Sequence, residues 1–427
     1  MFPIEPSDIP KDPVTPVPLP KAHKIAMLSA GGLATLLAGL AMLGPFAIDA
    51  YLPAFPQIQA NLRATPLEVQ QTLTAYMLAF AGMVLWHGSL ADAFGRRNVI
   101  LVALVVFAIG TFGCASSHSV HYLWVFRIMQ GVSAGAGVVV GRAIIRDLYA
   151  DAAAARLLSM VTMIFSIAPA IAPVLGGWIV TFFDWRTIFL GLLGYTLVLF
   201  WFCWKHLPET LAPDKRQPFN PQYIAQNYRA IFSSVLFHMK AGVVAFNFAG
   251  LFLYITAAPV MLPVHLGLGP SQFAWLFVPS VSGIFLGALV ANRLAGKLGF
   301  ERQIRIGFCF MLAAVTVNVA YHLAYPPALP WTVLPLFFYT FGSSIIGPGA
   351  TLLALDLFPH IRGTVASCQS FVLTLLGALV AGVIAPALSH SVLALALGQA
   401  GFVLAALACW MTARHYRRRV AAGGTAL

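Results

Sequence analysis

Twelve apolar runs, each near the roughly 20 residues a helix needs to cross a bilayer, constrain this chain more than any other feature. Their cores lie at 26–48, 70–90, 99–116, 121–141, 157–180, 187–204, 236–259, 273–291, 303–321, 331–352, 366–387 and 391–410. Within hydrocarbon every backbone polar group must be bonded internally, so runs of this kind are read as helices. Composition agrees: 60% of the 427 residues are hydrophobic and only 9% are charged, against roughly 25% charged in a soluble domain. The 36 Gly and 28 Pro show no collagen-like period, and both residues are more frequent in membrane helices than in soluble ones. The expected fold class is an all-α membrane protein with twelve transmembrane helices.

Charge orients the spans. The formal net charge is +12, with 25 Lys and Arg against 13 Asp and Glu, and the cations sit mostly between apolar runs. With the N-terminus in the cytoplasm, one set of connections holds Arg96, Arg97, Arg146, Arg156, Lys205, Lys215, Arg216, Arg229, Arg293, Lys297, Arg302, Arg305 and Arg362, followed by Arg414 and Arg417 to Arg419. The opposite loops hold Arg63 and Arg186. This is the positive-inside asymmetry of a bacterial inner membrane protein, and the basic charge is read as topology and lipid contact, with no nucleic acid as partner. The organisation expected is a Pro-rich cytoplasmic tail at 1–24 without signal-peptide features, a six-span bundle at 25–204, a cytoplasmic linker at 205–233, a second six-span bundle at 234–410, and a basic cytoplasmic tail at 411–427. Two halves of equal span number suggest an internal duplication.

Enzyme chemistry finds no support. No HExxH, GxSxG or P-loop pattern occurs. Cys114, Cys203, Cys309, Cys368 and Cys409 lie in or beside apolar runs without a CxxC pair, and are read as small core residues rather than a metal site. His118, His121 and His265 are dispersed and read as surface histidines. No cofactor or metal is expected.

The informative residues are the ionisable ones inside the spans, where charge is expensive and usually faces a cavity or a partner. Asp49 lies toward the outer end of span 1, if that span ends near Phe55; Arg127 lies in span 4; Tyr76 lies in span 2. At 1.5 Å per residue all three sit roughly 10 Å below the outer end, so an acid, a fixed cation and a phenol can share one layer. Desolvation favours a neutral carboxyl and a nearby arginine favours the carboxylate. Changing either would let Asp49 bind and release a proton. The structural alternative is that Asp49 caps a helix break beside Pro45 and Pro53, with Arg127 as an anchor.

Other patterns surround this layer. Arg127, Gln130, Gly131, Ala134, Gly135 and Val138 recur at three- and four-residue intervals on one face of span 4, and the small ones permit close helix approach. Arg142, Arg146 and Asp147 follow at the cytoplasmic edge. Span 5 carries Pro169, Pro173, Gly176 and Gly177, breakers dense enough to predict a bent helix. Gly88, Asp92, Gly95, Arg96 and Arg97 form a polar turn after span 2, and a charge network there would close the cytoplasmic opening and rearrange in transport.

These residues together resemble the major facilitator superfamily, and more narrowly its twelve-helix drug:proton antiporters of the bicyclomycin and chloramphenicol resistance type. Gly88, Asp92, Gly95, Arg96 and Arg97 match the loop motif; Arg127, Gln130, Gly131 and Gly135 match the fourth-helix motif. Pro169, Pro173, Gly176 and Gly177 are similar to the antiporter motif of the fifth helix, and Asp49 to Pro56 to the first outer loop. The resemblance covers about residues 25–410. It implies two six-helix bundles around a cavity that opens alternately to each face, and export of a small organic compound against inward proton flow, the proton gradient standing where a cofactor would. Asp49 falls at the coupling acid and Arg127 at the coupling arginine. Ala41 stands where some relatives carry a second acid. A monomer is expected. Substrate-cavity candidates are Tyr76, Gln130, Phe246, Asn247, Tyr254, Phe341 and Gln369; Asn247 and Tyr254 are seven apart on span 7, nearly one face. The alternatives are a proton-coupled transporter of a metabolite such as a nucleoside or amino acid derivative, a channel, and a membrane sensor or assembly factor that moves no solute.

Overall fold

The computed structural model describes residues 28–294 and 297–421. The tail expected at 1–24 and the last residues, 422–427, lie outside them. The described residues form helices and no strand. Among the described residues, twelve helical segments are long and apolar enough to cross a membrane: Ala30–Leu62, Pro66–Phe94, Arg96–Ala115, Val120–Leu148, Ala153–Phe182, Arg186–His206, Val235–His265, Pro270–Leu294, Phe300–Ala324, Leu334–Leu355, Pro359–Leu388 and Val392–Tyr416. They are called spans 1 to 12. The end of the molecule that carries the 207–233 connection is called the linker end, and the other the far end.

Local chemistry explains where the spans begin. Thr65 and Glu68 form a capping box at the start of span 2: the Glu68 carboxylate accepts from the Thr65 N–H at 2.7 Å, and the Thr65 hydroxyl oxygen accepts from the Glu68 N–H at 3.2 Å. Ser119 caps span 4 and Ser234 caps span 7, each accepting from the N–H three residues on. Such caps satisfy donors that a helix start otherwise leaves open.

Several spans are interrupted. Span 1 is regular over Ala30–Asp49, tightens at Leu52–Ala54 and resumes as Phe55–Leu62. It therefore runs past the end expected near Phe55, because Pro53 and Pro56 fall in the first turns of new helical segments, where a missing N–H costs nothing. Span 5 consists of Asp151–Phe165 and Ala168–Phe182, breaking at Ser166 and Ile167, just before the Ala168–Pro169 start of the second piece. Spans 7 and 11 widen into π turns at Met261–His265 and Val380–Ile384.

Packing is uneven along the membrane axis. Toward the far end one apolar core runs through both halves of the chain, joining Tyr51, Phe55 and Leu73 to Leu253, Met261, Leu276 and Ala381. Toward the linker end the second half keeps its own core, with Val243, Ile304, Phe308, Ile346 and Trp410. The linker is more structured than its polarity suggests. Its helix Pro221–Phe232 places Ile231 against Phe237, Val365 and Cys368, with Leu85 of span 2 beside them. The Tyr228 hydroxyl donates to the Leu85 carbonyl, and burial pushes that phenol's pKa up, keeping it a donor. At the other terminus the helix of span 12 continues to Ala421. The segment expected as a tail from 411 is helical that far, because its Arg-rich turn follows an apolar helix without a breaker.

Candidate functional site

Span 4 delivers Arg127 into the protein interior, where its side chain is fully buried. An arginine has five N–H donors. Here Nη1 donates to the Ala47 carbonyl of span 1 and to Gln130 Oε1, both at 2.9 Å. The guanidinium carbon lies 4.9 Å from the centre of the Tyr51 ring and 4.5 Å from that of Tyr76, close enough for cation–π attraction to both. Nε and Nη2 have no hydrogen-bond partner.

Asp49 closes the first helical stretch of span 1, two residues beyond the carbonyl that Arg127 holds, and only 6% of it is exposed. Among the described residues its carboxyl makes no hydrogen bond and no salt bridge. Acid, cation and phenol therefore share a layer, as the depth count predicts, but the acid and the cation are not paired. The Tyr76 hydroxyl is also buried without a partner.

Glycines bring the backbones of this layer together. A Cβ on Gly131 would collide with the Tyr76 carbonyl, so spans 2 and 4 cross there backbone to backbone. A Cβ on Gly176 would collide with the carbonyl of Ala50, next to Asp49, and one on Gly177 with the carbonyl of Pro270 in span 8. The bent fifth span thus seats the break of span 1 on one side and the second half on the other. Pro173 is buried in this stretch, and Pro169 opens it.

The seven substrate candidates separate. Tyr76 belongs to the Arg127 layer. Gln130 is also there, but its carbonyl oxygen is taken by Arg127 and by Cys114 Sγ at 3.6 Å, and its amide donates to Thr111 Oγ1 at 2.8 Å. It holds the arginine rather than presenting itself to a ligand. Asn247 and Gln369 are buried, with both amide atoms of Asn247 and Nε2 of Gln369 unpartnered. Phe246 instead stacks on Phe402 of span 12, and Phe341 meets Phe310 of span 9 edge-on at 4.9 Å. Tyr254 accepts from Asn318 Nδ2 at 2.7 Å; Asn318 also reaches Gln399 Oε1, and Gln399 donates to the Gly250 carbonyl. These three rings pack between spans of the second half, because helical spacing gives a residue's face but not its neighbour.

At the linker end, Arg96 binds Asp92 at 2.5 Å and Asp147 at 3.2 Å, and Thr210 donates to Asp147 at 2.8 Å. Gly95 has φ +95, a left-handed turn that suits glycine. Span 3 starts directly after it without a side-chain cap of its own. Glu209 supplies the acceptor: its carboxylate takes the Arg96 N–H at 2.8 Å and the Arg97 N–H at 3.2 Å. Arg97 Nη2 donates to the Trp204 carbonyl at 2.6 Å. Gly88 packs near Val139 of span 4. The network expected to close the linker-end opening therefore ties spans 2, 3, 4 and 6 to the segment after span 6, and these bonds stay between the first half and that segment. Arg142 and Arg146 are exposed beyond it. Glu209 and Thr210 escaped the sequence reading. Their signal is an uncapped helix start after Gly95, which needs an acceptor from somewhere.

Comparison with known proteins settles the family, since residues 35–382 match the Major Facilitator Superfamily. The chain belongs to that superfamily. It is 30% identical over 356 residues to the Bicyclomycin resistance protein homolog of Haemophilus influenzae, covering 81% of this chain and 87% of that protein. It is 27% identical over 333 residues to Multidrug resistance protein D of Escherichia coli, covering 78% and 83%. A crystal structure of a D-xylose–proton symporter shares the fold, with a TM-score of 0.66 at 17% identity over 88% of this chain and 97% of that one. As a member of the Major Facilitator Superfamily the chain is a multi-pass membrane transporter of small solutes, built as two six-span bundles.

Proposed function

We propose that this transporter exports small, moderately hydrophobic organic compounds, including drugs, in exchange for protons by alternating access. The linker end faces the cytoplasm of a bacterial inner membrane, with both termini on that side. The positive-inside distribution of Lys and Arg supports the orientation. The names of the two relatives, one for bicyclomycin resistance and one for multidrug resistance, favour drug export over carriage of a metabolite.

The observation that carries the reading is a buried, unpaired Asp49 in the layer of the half-committed Arg127, which holds the Ala47 carbonyl two residues away in sequence. An isolated carboxylate is costly to bury, and protonation removes the charge. Deprotonated, Asp49 has a natural partner in the free N–H groups of Arg127. Two local arrangements, one protonated and apart, one ionised and paired, give a proton the differential contact it needs to shift a global equilibrium. The apolar core that both halves share toward the far end supports a molecule closed at that end in the first of these.

The test is flux in liposomes with an imposed pH gradient, using a panel of chloramphenicol-like, bicyclic and nucleoside compounds. Gradient-driven flux of at least one drug-like compound is expected, and Asp49→Asn should abolish it. Undiminished coupled flux in Asp49→Asn would remove the coupling role. Flux of the nucleosides alone would return the metabolite reading.

A further inference from the structure

Thr111 of span 3 lies outside every pattern that marks the coupling layer, yet it controls how Arg127 is held. Its hydroxyl carries a single proton. The Phe107 carbonyl, which can only accept, lies 2.6 Å away, so that proton is committed there. Thr111 Oγ1 then offers lone pairs alone, and Gln130 Nε2 donates to it at 2.8 Å. With its nitrogen so placed, the Gln130 amide must present Oε1 to Arg127 Nη1. The flipped amide would set oxygen against an oxygen with no proton to give, and NH2 against a guanidinium N–H. Cys114, nearly one turn further along span 3, adds a weak donor to the same Oε1. Thr111, Cys114, Gln130 and Arg127 are all fully buried, so the chain of bonds has no competition from solvent.

The same device stands at one wall of the guanidinium. Thr72 donates to the Val69 carbonyl at 2.6 Å, so the Tyr51 hydroxyl must be the donor in its 2.9 Å contact with Thr72 Oγ1. Tyr51 is thereby locked, whereas Tyr76, the other wall, has an unpartnered hydroxyl. Arg127 is held rigidly through Nη1 and left open at Nε and Nη2.

We propose that Thr111 is a positioning residue for proton coupling, acting through Gln130 to fix the amide and so aim the free edge of Arg127. This rests on the reading of Arg127 as the coupling cation. Thr111→Val keeps the side-chain shape and removes the hydroxyl. In the liposome assay, with the drug the wild type moves, its gradient-driven flux should fall about tenfold, the scale of one lost hydrogen bond. The pH at half-maximal flux should move by about half a unit or more as the charge environment of Asp49 changes. Thr111→Ala carries the same expectation where valine impairs expression. Thr111→Ser, which keeps the hydroxyl, should restore both readouts. If Arg127→Ala retains coupled flux, the underlying reading fails. If Arg127→Ala abolishes it while Thr111→Val and Thr111→Ala keep the wild-type midpoint, or if Thr111→Ser behaves like valine, the positioning role is overturned.

Discussion

At the scale of a residue, the shape of Arg127 matters as much as its charge. Nη1 serves a main-chain carbonyl and Gln130 at once, from the planar fork of a guanidinium held between the rings of Tyr51 and Tyr76. A lysine would keep the charge but not the fork or its stacking between Tyr51 and Tyr76. Arg127→Lys is accordingly expected to reach the membrane at normal levels and lose coupled flux by about tenfold or more, the loss of one charge-assisted hydrogen bond at about 1.5–3 kcal/mol. Membrane yield and liposome flux measured side by side check this, and wild-type flux in the lysine variant would show that charge suffices. Arg127 and Asp49 were legible in the sequence because a charge inside an apolar run stands out. Thr111, Thr72 and Glu209 were not, because a threonine in a helix or an acid in a polar segment is unremarkable until its neighbour is known.

At the scale of an element, the breaks in the helices do the positioning. Span 5 bends where Pro169 removes a donor, and the straight stretch after it brings Gly176 onto the carbonyl of Ala50. Any side chain at 176 must push the break of span 1, and Asp49 with it, away from its seat. Gly176→Val should lower the thermal unfolding midpoint by several degrees, since overpacking costs about 1–3 kcal/mol, and should reduce flux further than the stability loss alone explains. Fluorescence-detected unfolding compared with flux measures both, and an unchanged midpoint would mean that the crossing is looser than its geometry implies. The prolines and glycines made the bend in span 5 readable in advance. The π turns of spans 7 and 11 were not readable, because the extra residue in a π turn is accommodated by tertiary contacts and has no composition of its own.

At the scale of the whole molecule, the two bundles are sealed at the far end mainly by close apolar contact. Span 11 meets span 2 where Gly377 faces Met77 and Gly382 faces Thr74. Gln70 adds a hydrogen bond from span 2 to the Thr256 carbonyl of span 7, at 3.3 Å. No salt bridge among the described residues crosses this seam. Such a seal can open without separating buried ion pairs, as alternating access requires. A Cβ on Gly382 would lie 3.4 Å from that of Thr74, near the usual disulfide separation of about 3.5–4.5 Å. The Thr74→Cys, Gly382→Cys pair, in a background lacking the five native cysteines, should therefore cross-link on oxidation, abolish flux, and recover it on reduction. Flux that persists in the cross-linked protein would mean that this seam does not need to part.

The twelve spans follow from a quantity that sequence carries directly, run length against bilayer thickness, and the orientation proposed for them rests on where positive charge is placed. The layer shared by Asp49, Arg127 and Tyr76 follows too, since helical rise converts residue number into depth. Only tertiary structure decided who touches whom within that depth. It left Asp49 unpaired, turned Gln130 from a cavity candidate into the arginine's support, moved Phe246, Tyr254 and Phe341 among spans of the second bundle, and bound the loop after span 2 to Glu209. The reason is geometric. Periodicity states the direction of a side chain on its own helix, while the angle and contact of two helices depend on every residue along both.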